Sequence, residues 1–320
     1  MMNQYAQTQP DDRKVEAALA RELERGDLAL SKIAPVLAHL LGNDDHSLFS
    51  DEVVARVRGM LGHMVRQLLF AEYEQTGGDD AHSFIARHAP PLEKRLNENS
   101  KMLAHCHALA LEWQLCLKLE EEHGLDPVLA PLIQALVASD ETHTAGLGIA
   151  GLAAQARFAQ AQRRMELKLG ELPAELFHAC LVAWREEAGA ARVASIDAAE
   201  AKLREEFDEG NSRVALFERL VVAMGKGVTA ALAIEHAGVG LFLSALAAAS
   251  EQSREEVTIA TSERQAARLL LALRSTGLKA KAVEAQLVYL HGSINLPKDC
   301  TQISADRAAS LLDDAWRPAR

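Results

Sequence analysis

The sequence predicts an all-α protein, on three observations. Aromatic residues make up only 4% of the 320 positions, while apolar residues reach 49% with alanine and leucine abundant throughout. Apolar positions recur at spacings of three and four, the period of a helix face. Strand signals are poor: Val53-Val54 and Val221-Val222 sit inside helix-period patterns, and no Asn-Gly or Asp-Gly hairpin turn occurs.

Helical periodicity starts near Arg13, after a polar N-terminus (1–12) expected to be disordered. Asp27–Leu41 reads as a short helix ended by Gly42-Asn43-Asp44-Asp45. Ser50 reads as an N-cap, with Asp51 and Glu52 suited to the first turn of the helix it opens. That helix runs to about Tyr73 on an apolar stripe of Val53, Val57, Leu61, Met64 and Leu68. A short helix follows Gly77-Gly78-Asp79-Asp80 and meets Pro90-Pro91. Leu92–His123 contains no Gly or Pro and would be about 50 Å long if unbroken, with Asn97–Ser100 as a possible division. Gly124 reads as a helix stop, and Asp126-Pro127 as an N-cap followed by Pro at the first helical position.

Beyond that boundary the pattern predicts helices over 127–138, 142–168, 173–188, 190–208, 212–224, 228–250, 262–275 and 279–291. Ser262 to Gln265 fits a capping box and Gly277 a helix stop. Ala230–Ser250 is apolar all round, as a central buried helix would be. Gly292–Thr301 reads as coil, and Ser304–Ala315 as a last helix. The expected organisation is an N-terminal helical bundle (13–125), a stack of helix pairs (126–291) resembling irregular helical repeats, and a coil with a short helix (292–320).

Charge and cysteine usage narrow the function by exclusion. Lys and Arg number 34 against 45 Asp and Glu, a net charge of −11, which disfavours nucleic acid or an anionic membrane over most of the surface. The N-terminus has no basic stretch followed by an apolar one, so no secretory signal is expected. The longest uncharged runs, Thr142–Ala156 and His236–Ser250, have 15 residues each and fall short of a membrane span. Cys106, Cys116, Cys180 and Cys300 are widely spaced without a CxxC, which suggests buried thiols in a reducing cytoplasm rather than zinc or disulfides. The C-terminal Trp316–Arg320 matches no lipidation signal.

Several constellations bear on chemistry. Gly146-Leu-Gly148-Ile-Ala-Gly151 spells a dinucleotide fingerprint, but no strand precedes it. Small residues in a closely packed helix explain these glycines better, so no cofactor is expected. Gly225-Lys226-Gly227 lacks the upstream glycine of a phosphate loop, since Leu220 stands there. Glu120/His123 and Glu175/His178 carry the three-residue spacing of metal-binding helices, with Asp79/His82 and Asp140/His143 as acidic variants. Four such pairs are little above chance in a chain with 12 histidines, and no metal is expected; a metal-dependent helical enzyme using the two glutamate pairs is one alternative.

His105, Glu112, Cys116 and His123 fall within about 20° of one line on a helix. This polar seam is a candidate interface, including a homodimer contact. His63, with Arg66 three residues on, loosely resembles the phosphoacceptor helix of histidine kinases and histidine phosphotransfer domains. It lies about 130° from the apolar stripe, so it is expected to be exposed. Met64 and Gln67 depart from that pattern, and no nucleotide-binding kinase domain is visible.

Two stretches carry a wider resemblance: Gln155–Met165 leading into Leu172–His178, and Ser262–Arg274 followed by Ser275–Lys279. With the pattern around Ser50–Leu69 they resemble uncharacterised all-helical proteins of alphaproteobacteria, a domain of unknown function. The resemblance implies a cytoplasmic, HEAT-like helical protein and brings no catalytic residues. The leading expectation is therefore a non-enzymatic, acidic bacterial scaffold or regulator acting on an unknown protein partner, with histidine phosphotransfer through His63 as the rival.

Overall fold

The computed structural model describes residues 10–32, 35, 50–76, 80–189, 192–292, 296 and 299–314. Among them are fifteen α-helices joined by turns and short 3₁₀ segments, with no strand, so the fold is all-α. None of these helices is long and apolar enough to cross a membrane. The terminator at 42–45 and most of the helix expected over 27–41 lie outside the described residues. Asp27 itself belongs to α1 (Pro10–Leu30), which also takes in Pro10–Asp12 from the expected disordered end.

α2 (Asp51–Thr76) begins as predicted. Ser50 Oγ accepts from the Val53 amide at 3.3 Å, and the stripe Val53, Val57, Leu61, Met64 and Leu68 is buried throughout. α3 (Ala81–Asn97) runs through Pro90-Pro91 rather than stopping there. Each proline removes a ladder donor, and the helix persists because Leu92 and Leu96 are buried in the common core beside α2. Asn99 then divides the long stretch, its side chain accepting from the Met102 amide to cap α4 (Ser100–His123). Gly124 closes α4 at φ 67°, with its amide donating to Glu120 and the Leu125 amide to Leu119.

Asp126 does not start a helix. Its carboxylate accepts from the amides of Val128 and Leu129 in a local turn, and α5 (Pro131–Val137) opens five residues later on its own proline. α6 (Thr142–Arg163) follows and is shorter than predicted; Met165 turns left-handed at φ 57°, and a 3₁₀ turn covers Leu169–Glu171. Next come α7 (Ala174–Ala188), α8 (Val193–Glu206) and α9 (Arg213–Met224), close to their expected spans.

The expected single helix over Ala230–Ser250 is broken. A 3₁₀ segment (Gly225–Leu232) and α10 (Ile234–Ala237) precede Gly238, whose φ of +72° ends the turn. A Cβ at Gly238 would lie 2.6 Å from the Cβ of Ala130, so glycine serves both the backbone and the close approach. α11 (Val239–Ser250) is nevertheless the buried central helix that its composition predicts.

α12 (Arg254–Ala260) is not among the predicted helices. The capping box sits here, between Ser253 and Glu256, rather than at Ser262, which makes no side-chain cap. α13 (Ala266–Ser275), α14 (Ala280–His291) and α15 (Ala305–Asp314) complete the chain. α1 returns to this end: Gln265 donates to the Gly26 carbonyl at 2.9 Å, and Arg268 pairs with Asp27.

One hydrophobic cluster extends from Leu19 to Leu312 and crosses position 125, where the Gly124 stop and Asp126-Pro127 suggest a boundary. α2 packs on α8, and α4 on α12, so elements on either side of that point share a core.

The glycines of the apparent fingerprint lie inside α6. A Cβ on Gly148 would come within 2.9 Å of the Val137 amide, and one on Gly151 within 2.9 Å of Leu220. They let α6 approach its neighbours. Gly146 has open space around it. Gly148→Ala should therefore cost about 1–3 kcal/mol of stability through backbone displacement. Gly146→Ala should add about 0.5–1 kcal/mol. Urea denaturation of the two variants checks the opposite signs.

Candidate functional site

α4 carries a line of polar side chains through the middle of the molecule, and that line organises the candidate site. Glu112 is fully buried (0% exposed). Two arginines from later in the chain grip it in bidentate pairs. Arg213, at the start of α9, donates through Nη1 to Oε1 at 2.5 Å and through Nη2 to Oε2 at 2.8 Å. Arg254, at the start of α12, donates to both oxygens at 2.9 Å. The Arg213 guanidinium lies 3.7 Å from the centre of the Phe158 ring and also donates to Gln155 Oε1. Arg254 donates to Ser244 Oγ on α11. Burial alone would raise the Glu112 carboxyl; the two guanidinium groups outweigh it and hold the group well below the ordinary carboxylate range.

Two turns earlier on α4, His105 is 5% exposed. Its Nδ1 lies 2.9 Å from Oε1 of Glu255 on α12. Burial tends to raise Glu255, but the hydrogen bond from His105, with Arg254 nearby, prevails and holds it down at about 2. The ionised carboxylate can only accept, so Nδ1 carries the proton and donates. The other ring nitrogen, Nε2, is buried and has no hydrogen-bond partner among the described residues. His105 lines two clefts, of about 130 and 270 Å³. A histidine oriented by a carboxylate with its second nitrogen unengaged can accept or donate one further hydrogen bond, or relay a proton.

The polar seam is therefore internal at three of its four positions. His105, Glu112 and Cys116 are buried against the chain's own helices, which corrects the expected intermolecular contact at those residues. His123, at the helix end, is exposed; it stacks on Tyr289 at 4.1 Å and donates from Nε2 to the Tyr289 carbonyl. His63 is half-buried instead of exposed, because the 167–169 segment covers it: Nδ1 donates to the Leu167 carbonyl at 2.8 Å. Gln67 holds the same segment through the Leu167 carbonyl and the Leu169 amide, while Arg66 is exposed.

The metal alternative gathers no ligand set. Glu175 pairs with Lys101, and His178 lies 3.4 Å from Arg204. Glu120 is exposed at the end of α4. Among the described residues no three His, Cys, Asp or Glu side chains are grouped to hold a metal; Asp79 lies outside them.

Arg213, Arg254 and Glu255 had no place among the sequence candidates. Arg254 and Glu255 sit inside the Ser253-x-x-Glu256 capping box, which is the signal that marks α12. Nothing local marks Arg213 as the partner of a residue 101 positions away.

A second feature lies between α2 and α8. A groove of about 430 Å³ is lined by Phe70, Leu203, Phe177 and Phe207, with Lys168 and Lys202 among its polar residues. Phe177 and Phe207 stack in parallel at 4.0 Å, and Phe70 is 49% exposed.

Removing the Glu112 charge leaves two buried arginines uncompensated. Glu112→Gln should cost about 3–5 kcal/mol in urea unfolding. Both Glu112 and Glu255 are held low, so their contribution is full above the ordinary carboxylate range and is lost as pH falls through the lowered values. Melting curves from about pH 5 down to about pH 2 should show a steep fall for the wild type and a shallower one for Glu255→Gln. Compared with known proteins, the chain matches no family model, no curated protein and no solved structure, so the resemblance to alphaproteobacterial helical proteins rests on the residues quoted for it.

Proposed function

We propose that the chain is a helical scaffold or regulatory protein that works through protein–protein contact, and that a partner inserts an apolar side chain into the groove between α2 and α8. Phe70 carries this reading. It is a large aromatic left half-exposed beside a stacked aromatic pair, whereas six of the other ten aromatics among the described residues are buried. Exposed aromatics next to a concave apolar surface are the anchors from which protein interfaces draw most of their energy. The Glu74–Lys202 ion pair at 3.1 Å belongs to the polar border of the groove, as at an interface rim.

The thiols and the main buried charges support a role in packing. Burial pushes the Cys180 thiol up to about 12, and Cys106 and Cys116 higher still, so these sulfurs stay protonated and are poor nucleophiles. Glu112 and Glu72 are engaged by arginines.

Quantitative affinity purification from the native host should compare the wild type with Phe70→Asp. At least one protein enriched by the wild type should fall about tenfold or more with the variant, as for a hot-spot residue. The same protein, purified, should bind the wild type directly. Thermal melting should change little, because Phe70 is half in solvent. Identical interaction profiles for the two proteins would remove this reading.

A further inference from the structure

The two clefts at His105 share a wall and differ in charge. His105, Leu109, Glu171 and Val214 line both. The larger cleft adds Glu209, Glu218 and Glu255 against Arg254, whose guanidinium is already taken by Glu112. The smaller adds Arg157, Arg164 and Lys168 against Glu166. Among the described residues, none of these three cations lies within ion-pair distance of a carboxylate.

Glu218 has no ion pair or hydrogen bond to a described residue. Exposed at one side, Glu218 is partly desolvated at the cleft, which raises its carboxyl above the ordinary value; Arg254 pulls it back, and Glu209 and Glu255 push it further up. A cation placed beside it would relieve that crowding. His105 supplies the independent sign of a ligand. A buried ring nitrogen without a partner costs free energy unless something fills its hydrogen bond. With Nδ1–H committed to Glu255, Nε2 is the ring's remaining site, and it accepts from an ammonium donor when the ring carries that one proton. The surrounding carboxylates favour the same species. A ligand carrying only positive charge would leave the basic cleft unmatched, and one carrying only negative charge would face the acidic one.

We propose that the paired clefts bind one small zwitterion, with its ammonium group among Glu218, Glu209 and Nε2 of His105 and its carboxylate or phosphate facing Arg157, Arg164 and Lys168. The ligand is amino-acid-like in chemistry, and the combined space is in the range of small-molecule sites. The clefts share Lys168 and Glu171 with the groove at Phe70, but the groove uses neither Glu218 nor His105, so the Phe70 and Glu218 variants test the two proposals independently.

Isothermal titration of the full chain at neutral pH tests it. The probes are glycine, β-alanine and their longer straight-chain homologues up to six carbons, together with phosphoethanolamine. Each is paired with the amine and the carboxylic acid of equal length. The expected result is that at least one zwitterion binds about tenfold or more tightly than either partner compound, since each lost charged hydrogen bond costs at least that much. Glu218→Gln should weaken both the zwitterion and the amine by about tenfold. Arg164→Gln should weaken the zwitterion and leave the amine unchanged. His105→Gln should behave as Glu218→Gln, with its melting temperature recorded; Glu218 is exposed, so its variant decides the matter if the histidine variant does not fold. No binding by any probe at millimolar concentration overturns the proposal. So does an amine that binds as well as its zwitterion, or a Glu218→Gln protein with unchanged affinity.

Discussion

A buried carboxylate cannot stand alone in an apolar interior, and Glu112 sets the terms on which much of this molecule is assembled. Its charge requires partners, and both come from distant helices: Arg213 at the start of α9 and Arg254 at the start of α12. Four charge-assisted hydrogen bonds fix the axial position of α4 against both. Neighbours are constrained in turn. Gly240 on α11 must be small, because a Cβ there would sit 2.9 Å from Gln155 Oε1 and 3.1 Å from Arg213 Nη1. An apolar trio could match such a centre in net stability. What the ionic one adds is register, since only one alignment satisfies all three charges. That alignment also brings Glu255 to His105 and so forms the wall of the two clefts.

The same device recurs where helices from different parts of the chain meet. Glu72 on α2, also fully buried, accepts from Trp184 Nε1 at 3.0 Å and from Arg192 at 2.7 and 2.5 Å. Asp27 and Arg268 join α1 to α13. With few aromatic side chains available, the chain fills its core with leucine, alanine and glycine, which allow close helix axes but carry little directional information. Buried ion pairs supply direction. Several helix ends are satisfied locally instead: Asn99, Ser212, Ser253 and Asp80 each cap a helix through a side-chain oxygen.

Local signals in the chain suffice where local physics decides the outcome. The cap at Ser50, the stop at Gly124 and the buried stripe of α2 follow from hydrogen-bonding needs and helix period alone. Elsewhere packing overrides propensity. Two prolines remain inside α3, and Asp126 caps a turn instead of a helix. The sharpest omission is α12. Seven residues are too few for a clear period, and Ser262 to Gln265 carries a competing capping-box pattern that makes no cap. With α12 went Arg254 and Glu255, and so half of the candidate site.

By itself the sequence determined the all-α class, most helix spans, and the alignment of His105, Glu112 and Cys116 on one face of α4, because helix geometry is a property of neighbouring residues. It could not decide whether that face meets solvent, a second molecule or the chain's own interior. Tertiary structure decided this by bringing arginines from 101 and 142 residues away onto Glu112. It likewise covered His63 with the Leu167 segment and left Phe70, two turns further along the same helix face, open. The physical reason is the same in each case: burial is a relation between surfaces remote in sequence, and only the folded chain sets which charges must find partners and which aromatic remains without one.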